Sequence, residues 1–336
     1  MSVLVIAEAG VNHNGDLALA RQLVDVAARA GADLVKFQTF SADRLVTAAA
    51  RQADYQVRNT GVEESQHAML KRLELSRDAH LDLITHCKAA GIEFFSTGFD
   101  TDSVNMLLGL GATRIKIPSG ELTNLPFLRH VGRAGGAGRD VILSTGMGTY
   151  DEVAAAVDAL ENAGTPRARI TVLQCTTNYP AGMDEVNLRA MATMAASLGV
   201  RAGYSDHTVG IEVAIAAVAL GATVIEKHFT LDRTLPGPDH KASLEPAELA
   251  AMVAGIRNVE RALGSVEKRP SPAEMANRAV VRRSLVASRP IAAGESFSAA
   301  NLAVKRPGTG LSPMRWDEVV GRTAPRAFHT DEMIEL

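Results

Sequence analysis

Eight times over residues 1–264, a short apolar run rich in β-formers gives way to a longer Ala/Leu-rich stretch with apolar residues at helical spacing. VLVIAEAG precedes LALARQLVDVAARAG, and DLVKFQT leads, past an insertion, to DAHLDLITHCKAAG. EFFSTG, RIKIPSG and VILSTG each carry their own helical pattern, and ITVLQCTTNYP, VRAGYSDHT and TVIEKHFT close the series. Runs this apolar belong in a parallel sheet with helices on its outer face. Eight evenly sized units favour a closed (β/α)8 TIM barrel of the α/β class over an open doubly wound sheet. Several helical stretches stop at Ala-Gly, a helix-end signal. No dinucleotide fingerprint or P-loop follows a strand, since AGGAG around Gly136 follows a helix instead.

The pattern breaks after Leu263. GSVEKRPSPAEM is polar with two prolines, so residues 265–279 read as a linker. Residues 280–336 read as short β-like pieces between Gly, Pro and Ser, near the lower limit for a self-supporting core and so expected to pack against something else.

Bulk properties exclude several classes of function. A net charge of −3 argues against nucleic acid or an acidic membrane as partner, and suits a small-molecule enzyme. The N-terminus lacks the pattern of a secretion signal, and the run from Val213 to Ile225 is too short to span a bilayer. Two cysteines, Cys87 and Cys175, make no disulfide framework, so a reducing cytoplasm is the expected setting.

In a barrel, chemistry collects at the C-terminal ends of the strands. Those ends carry Glu8, Lys36 with Gln38, Thr97, Lys116, Ser119 with Glu121, Ser144, Thr177 with Tyr179, Ser205 with His207, and Glu226 with His228. Pairs spaced by two share a face of the strand. The residues between them face the helices, which suits Phe37 and would oblige Lys227 to reach solvent. A lysine inside a strand is costly unless paired or bound to an anion. Lys36 and Lys116 could form internal pairs with Glu8 and Glu121; two such lysines beside three serines point more strongly to an anionic substrate bearing phosphate and carboxylate. His207 and His228 end neighbouring strands, so they fit either a divalent metal or one general base beside a hydrogen-bonded histidine. Cys175 reads as a small buried hydrophobe, and Arg306, in VKRPGTG, as a surface charge on a rigid loop.

EAGVNHNGD, VKFQTF, FFSTGFD, KIPSGE, ILSTGM, QCTTNYP, GYSDHT, EKHFT and PGPDH occur in an order that resembles the sialic acid synthases. The tail AAGESFSAANLAVKRPGTG is similar to the antifreeze-like (SAF) domain that ends them. The resemblance implies condensation of phosphoenolpyruvate with an N-acylated mannosamine-type aldehyde, releasing phosphate and a nine-carbon keto acid. It implies that His207 and His228 bind a divalent ion, Mn2+ or Mg2+. Lys36, Thr97, Lys116, Ser119, Ser144, Thr177 and Ser205 would then hold phosphoenolpyruvate. Glu8, Gln38, Tyr179 and Asp239 would face the sugar, and Arg306 would reach its N-acyl group from the partner of a domain-swapped homodimer. A carboxylate must handle the proton of the attacking water, with Glu121 the first choice and Glu8 the second. Thr177 stands where some relatives have asparagine, with Asn178 beside it, and Pro118 where glycine is common.

On frequency, N-acetylmannosamine is the leading acceptor, giving N-acetylneuraminate. The run FSADRLVTAAARQADYQ is similar to synthases of legionaminic acid, whose acceptor is 2,4-diacetamido-2,4,6-trideoxymannose. Two rivals stand further off. A keto-deoxy sugar phosphate synthase would need more arginines at strand ends, and a non-catalytic sugar-binding protein would leave the polar cluster without a purpose.

Overall fold

The computed structural model describes residues 2–336, which form two compact units dividing between Gly264 and Ser265. In the first unit, strands β1 (Leu4–Gly10), β2 (Leu34–Thr39), β3 (Glu93–Gly98), β4 (Arg114–Ile117), β5 (Asp140–Ser144), β6 (Ile170–Cys175), β7 (Arg201–Asp206) and β8 (Val224–His228) pair in chain order. All eight pairings are parallel, and β8 returns to β1, closing the barrel. Helix α1 (Leu17–Ala30) joins β1 to β2. After β2 the chain inserts α2 (Ala42–Leu45), α3 (Asp54–Thr60) and α4 (Gln66–Leu73) before α5 (Arg77–Ala90) runs back to β3. The later crossovers are α6 (Thr101–Gly109), α7 (Leu125–Gly135), α8 (Tyr150–Asn162), α9 (Arg189–Leu198) and α10 (Glu212–Ala219), and α11 (Pro246–Leu263) ends the unit.

Local chemistry sets the helix limits. Asp16 caps α1 by accepting from the amides of Ala18 and Leu19, and the helix ends at Gly31 with φ 78°. Gly91, with φ 74°, does the same for α5. Outward-facing strand residues such as Val5, Val35, Phe37 and Ile225 pack against Leu23, Leu83 and Met252 of the surrounding helices. Each such fully buried side chain contributes roughly 1.5–3 kcal/mol. Inside the barrel, Ile6, Leu34, Phe95, Ile142, Leu173 and Val224 form a closed apolar plug. Everything inward-facing beyond that plug opens towards the C-terminal ends of the strands.

The second unit has its own core of Leu285, Ile291, Phe297, Leu302 and Phe328 around the antiparallel pair β9 (Ser284–Ala287) and β10 (Leu302–Lys305). Part of the stretch read as linker is helical, as α12 (Pro272–Val281). Its start is explained by a capping box: Ser271 Oγ accepts from the Glu274 amide while the Glu274 carboxylate accepts from the Ser271 amide. Among the described residues, no helix is long and apolar enough to cross a membrane.

Candidate active site

Strand alternation and register bring a ring of polar side chains to one level just above the apolar plug. Glu8 pairs in register with Lys36, Thr97 with Lys116, Cys175 with Ser205, and Ser205 with Glu226. Together with Ser144 they face a cavity of about 340 Å³. Two residues further along the strands, Gln38, Thr177, His207 and His228 line the same cavity, joined by Ser119, Glu121, Tyr179 and Asp239 from the loops. Fourteen of the fifteen site residues expected from sequence therefore meet in one place. Arg306 alone lies in the second unit, where it is exposed.

Lys36 Nζ lies 2.5 Å from Glu226 Oε2 and 3.1 Å from Glu8 Oε2. Lys116 Nζ lies 3.4 Å from Glu226 Oε1 and donates to Ser144 Oγ at 2.8 Å. The internal pairing foreseen for these lysines thus exists, but with Glu226 in place of Glu121. Glu226 projects from the barrel wall between them, whereas Glu121 sits half-buried on a loop and accepts from Asn124 Nδ2 at 2.6 Å. Burial works to raise the Glu226 pKa, but the ammonium groups of Lys116 and Lys36 outweigh it and hold it far below the usual carboxylate range. Burial likewise disfavours charge on Lys36, yet Glu226 and Glu8 together raise its pKa. Lys116 ends up lowered, because burial and repulsion from Lys36 exceed what a shared carboxylate returns. Lys116 is the under-compensated cation of the ring.

A cradle of hydroxyls lies beside it. The Gly146 amide donates to Ser119 Oγ at 3.0 Å, and Thr177 Oγ1 is buried without a partner. A Cβ on Gly146 would fall 2.3 Å from Thr177 Oγ1 and 2.8 Å from Ser119 Oγ, so the two hydroxyls converge only because that residue is glycine. Asn178 turns away, its Nδ2 3.5 Å from Glu185 Oε2, which leaves the polar contact at Thr177.

The rings of His207 and His228 stand 5.5 Å apart, centre to centre. His207 Nδ1 donates to the Thr176 carbonyl at 2.7 Å, which leaves the Nε2 lone pair free. His228 Nε2 faces Glu8 Oε2 at 3.3 Å, so its buried, unpartnered Nδ1 carries the second lone pair. Orientation of each imidazole by an oxygen acceptor is the usual support of a metal-binding histidine. No group of three or more His, Cys, Asp or Glu side chains suited to a metal ion occurs among the described residues. Two imidazole nitrogens are thus what this cavity offers a divalent ion, the rest of whose shell would be water or substrate oxygens. Burial opposes charge on His207, but the Cys175 sulfur at 3.7 Å and the Thr176 carbonyl raise its pKa to about 9, so ion binding there displaces a proton.

Three features lay beyond the sequence reading. Glu226 was legible as a strand-end residue but not as the hub joining both lysines. Tyr55 comes from the insertion and stacks on Tyr179, ring centres 5.0 Å apart, while Tyr179 lies 4.1 Å from the His207 ring. Lys227 does not reach solvent: fully buried behind the strands, it donates to Asp206 Oδ2 and to the Thr208 carbonyl, both at 2.7 Å. The neighbouring strand offered it a carboxylate, which a helix-facing lysine needs if it is to stay inside.

Residues 23–268 match the NeuB family and residues 282–335 the SAF domain. The N,N'-diacetyllegionaminic acid synthase of Campylobacter jejuni is 49% identical over 98% of both chains. The protein of the same name from Legionella pneumophila is 48% identical over 96% of this chain and 90% of its own. Among solved structures, an N-acetylneuraminic acid (sialic acid) synthetase from Leptospira borgpetersenii, in complex with citrate, superposes with a TM-score of 0.72. It is 34% identical, covering 82% of this chain and 90% of that one. Taken with the closed barrel and its polar ring, these likenesses place the chain in the NeuB family of sialic acid synthases, phosphoenolpyruvate-dependent condensing enzymes.

Proposed function

We propose that this enzyme condenses phosphoenolpyruvate with 2,4-diacetamido-2,4,6-trideoxymannose, giving a di-N-acetylated nonulosonic acid and phosphate. The observation that carries the reaction class is the convergence of two buried lysines and two oriented imidazoles on one cavity. The choice of acceptor is supported by the two relatives at 49% and 48% identity, which favour it over the N-acetylmannosamine that frequency alone put first.

Lys36, Lys116, Ser144 and Ser205 line the floor, with Ser119, Thr177 and the Gly146 amide beside them. They bind the phosphate and carboxylate of phosphoenolpyruvate, fix its C3, and stabilise the leaving phosphate. His207 and His228 would hold Mn2+ or Mg2+, which when bound supplies Lewis-acid polarisation of the aldehyde oxygen. C3 of the enol forms the new bond to the aldehyde carbon, water adds at C2, and the C2–O bond to phosphate breaks. Glu121, on the rim, or Glu8, on the floor, takes the proton from that water. Tyr179, Gln38 and Asp239 face the acceptor, with Asp239 kept in a more readily protonated state by burial and by Glu8. Arg306 would act on the N-acyl group from the other subunit of a homodimer.

Phosphate release on mixing the purified protein with phosphoenolpyruvate, Mn2+ and each sugar tests the reading. Release is expected with both sugars and faster with the diacetamido sugar. No release with any N-acylated hexosamine overturns it.

A further inference from the structure

We infer that the insertion after β2 is a specificity wall that recognises the methyl-bearing C4–C6 end of the acceptor sugar. The inference rests on the reading above for the reaction and adds which residues select the sugar. The reacting aldehyde carbon must sit over the ionic floor, near His207 and His228, so the opposite end of the sugar points out of the barrel. There the cavity is bounded by the insertion: Leu45 and Val46 at the end of α2, Tyr55 in α3, and Met69 and Leu70 in α4. Tyr55 ties this wall to the reacting centre, since it stacks on Tyr179, whose ring lies tilted against that of His207.

The chemistry of this wall is the reverse of that of the floor. None of the insertion residues facing the cavity is charged. Gln56 is already engaged, its Oε1 accepting from the Ala53 amide at 2.9 Å and its Nε2 lying 3.4 Å from the Tyr55 hydroxyl, so the half-buried Gln66 at the start of α4 is the wall's one uncommitted amide. Met69 and Leu70 pack in an apolar cluster with Val11, Phe40 and Phe99. A hydroxyl pressed on such a surface loses water and finds few partners, whereas a methyl group gains contact. An acceptor with a deoxy C6 and an acylamino methyl at C4 matches the wall, and one with hydroxyls at both positions does not. An apolar pocket discriminates against an added hydroxyl by about 10²-fold, which sets the scale of the preference.

Two measurements on the full chain test this. In the wild type, kcat/KM is compared for N-acetylmannosamine, its 6-deoxy analogue and the 2,4-diacetamido-2,4,6-trideoxy sugar. A rise of about tenfold or more at each step is expected. Leu70→Gln and Leu45→Gln, both at half-buried positions, are then expected to narrow the ratio between the last and first sugars by about tenfold or more. The narrowing should fall on the sugar KM, with the KM for phosphoenolpyruvate unmoved. Equal kcat/KM for the three sugars in the wild type overturns the inference while leaving the condensation intact, as does a ratio unchanged in folded variants. If either variant fails to fold, the wild-type sugar series still decides. Absence of turnover with all three sugars overturns the reaction reading itself.

Discussion

At the scale of single residues, Glu226 sets the charge state of the site. It faces two ammonium groups with less than one carboxylate each to spare, because Glu8 is shared between Lys36 and His228. Glu226→Gln leaves both lysines under-compensated in a dry environment, which should cost about 3–5 kcal/mol of stability. Phosphoenolpyruvate then becomes the replacement anion, so its addition should raise the melting temperature more in the variant than in the wild type. Equal ligand-induced shifts in thermal melts would show that Glu226 and the substrate anion do not compensate the same charges. The sign with pH follows from the direction of its shift. The folded carboxyl titrates below the unfolded value of about 4.3, so its stabilisation is present above that pH and fades as pH falls below it. Urea denaturation through this acid window should show a shallower decline for the variant.

At the scale of elements, the two metal-binding candidates are held by the face of the sheet that carries no chemistry. Asp206 and Lys227 flank His207 and His228 in sequence and clasp β7 to β8 from behind, while Asp206 Oδ1 also accepts from the Thr208 amide and hydroxyl. Lys227→Met removes one partner of a buried pair and should cost about 3–5 kcal/mol. Adding Asp206→Asn removes the orphaned charge, so the double variant should lose less than the two single variants summed. Strict additivity in a double-mutant cycle measured by denaturation would mean the two groups are not coupled. Strand ends were readable at this scale because a spacing of two always returns a side chain to the same face, as in Lys36 with Gln38 and Glu226 with His228. The partner of Lys227 was not, since it comes from another strand 21 residues earlier in the chain.

At the scale of the whole molecule, each unit encloses its own apolar core, Val5, Phe37 and Ile225 among the residues of one and Leu285, Phe297 and Phe328 among those of the other. A chain ending at Gly264 should therefore keep a cooperative thermal transition and its stabilisation by phosphoenolpyruvate, all of whose proposed contacts are in the barrel. A truncated chain without a cooperative melt, or deaf to that ligand, would show that the barrel depends on the tail. The alternation of short apolar runs and helical stretches was enough, by itself, to determine the barrel, the end of it that bears chemistry, and most of the side chains gathered there. That information is local: helical and strand periods are properties of neighbouring residues, and a closed parallel sheet leaves only one end for inward-facing polar groups. Tertiary structure alone decided that Glu226 rather than Glu121 joins the lysines, that Lys227 stays inside, that residues 272–281 are helical, and that Tyr55 reaches the site from an insertion. Most of these are pairings between distant segments, settled by distance and by the cost of leaving a buried charge alone, and nothing in the order of residues along the chain carries that distance.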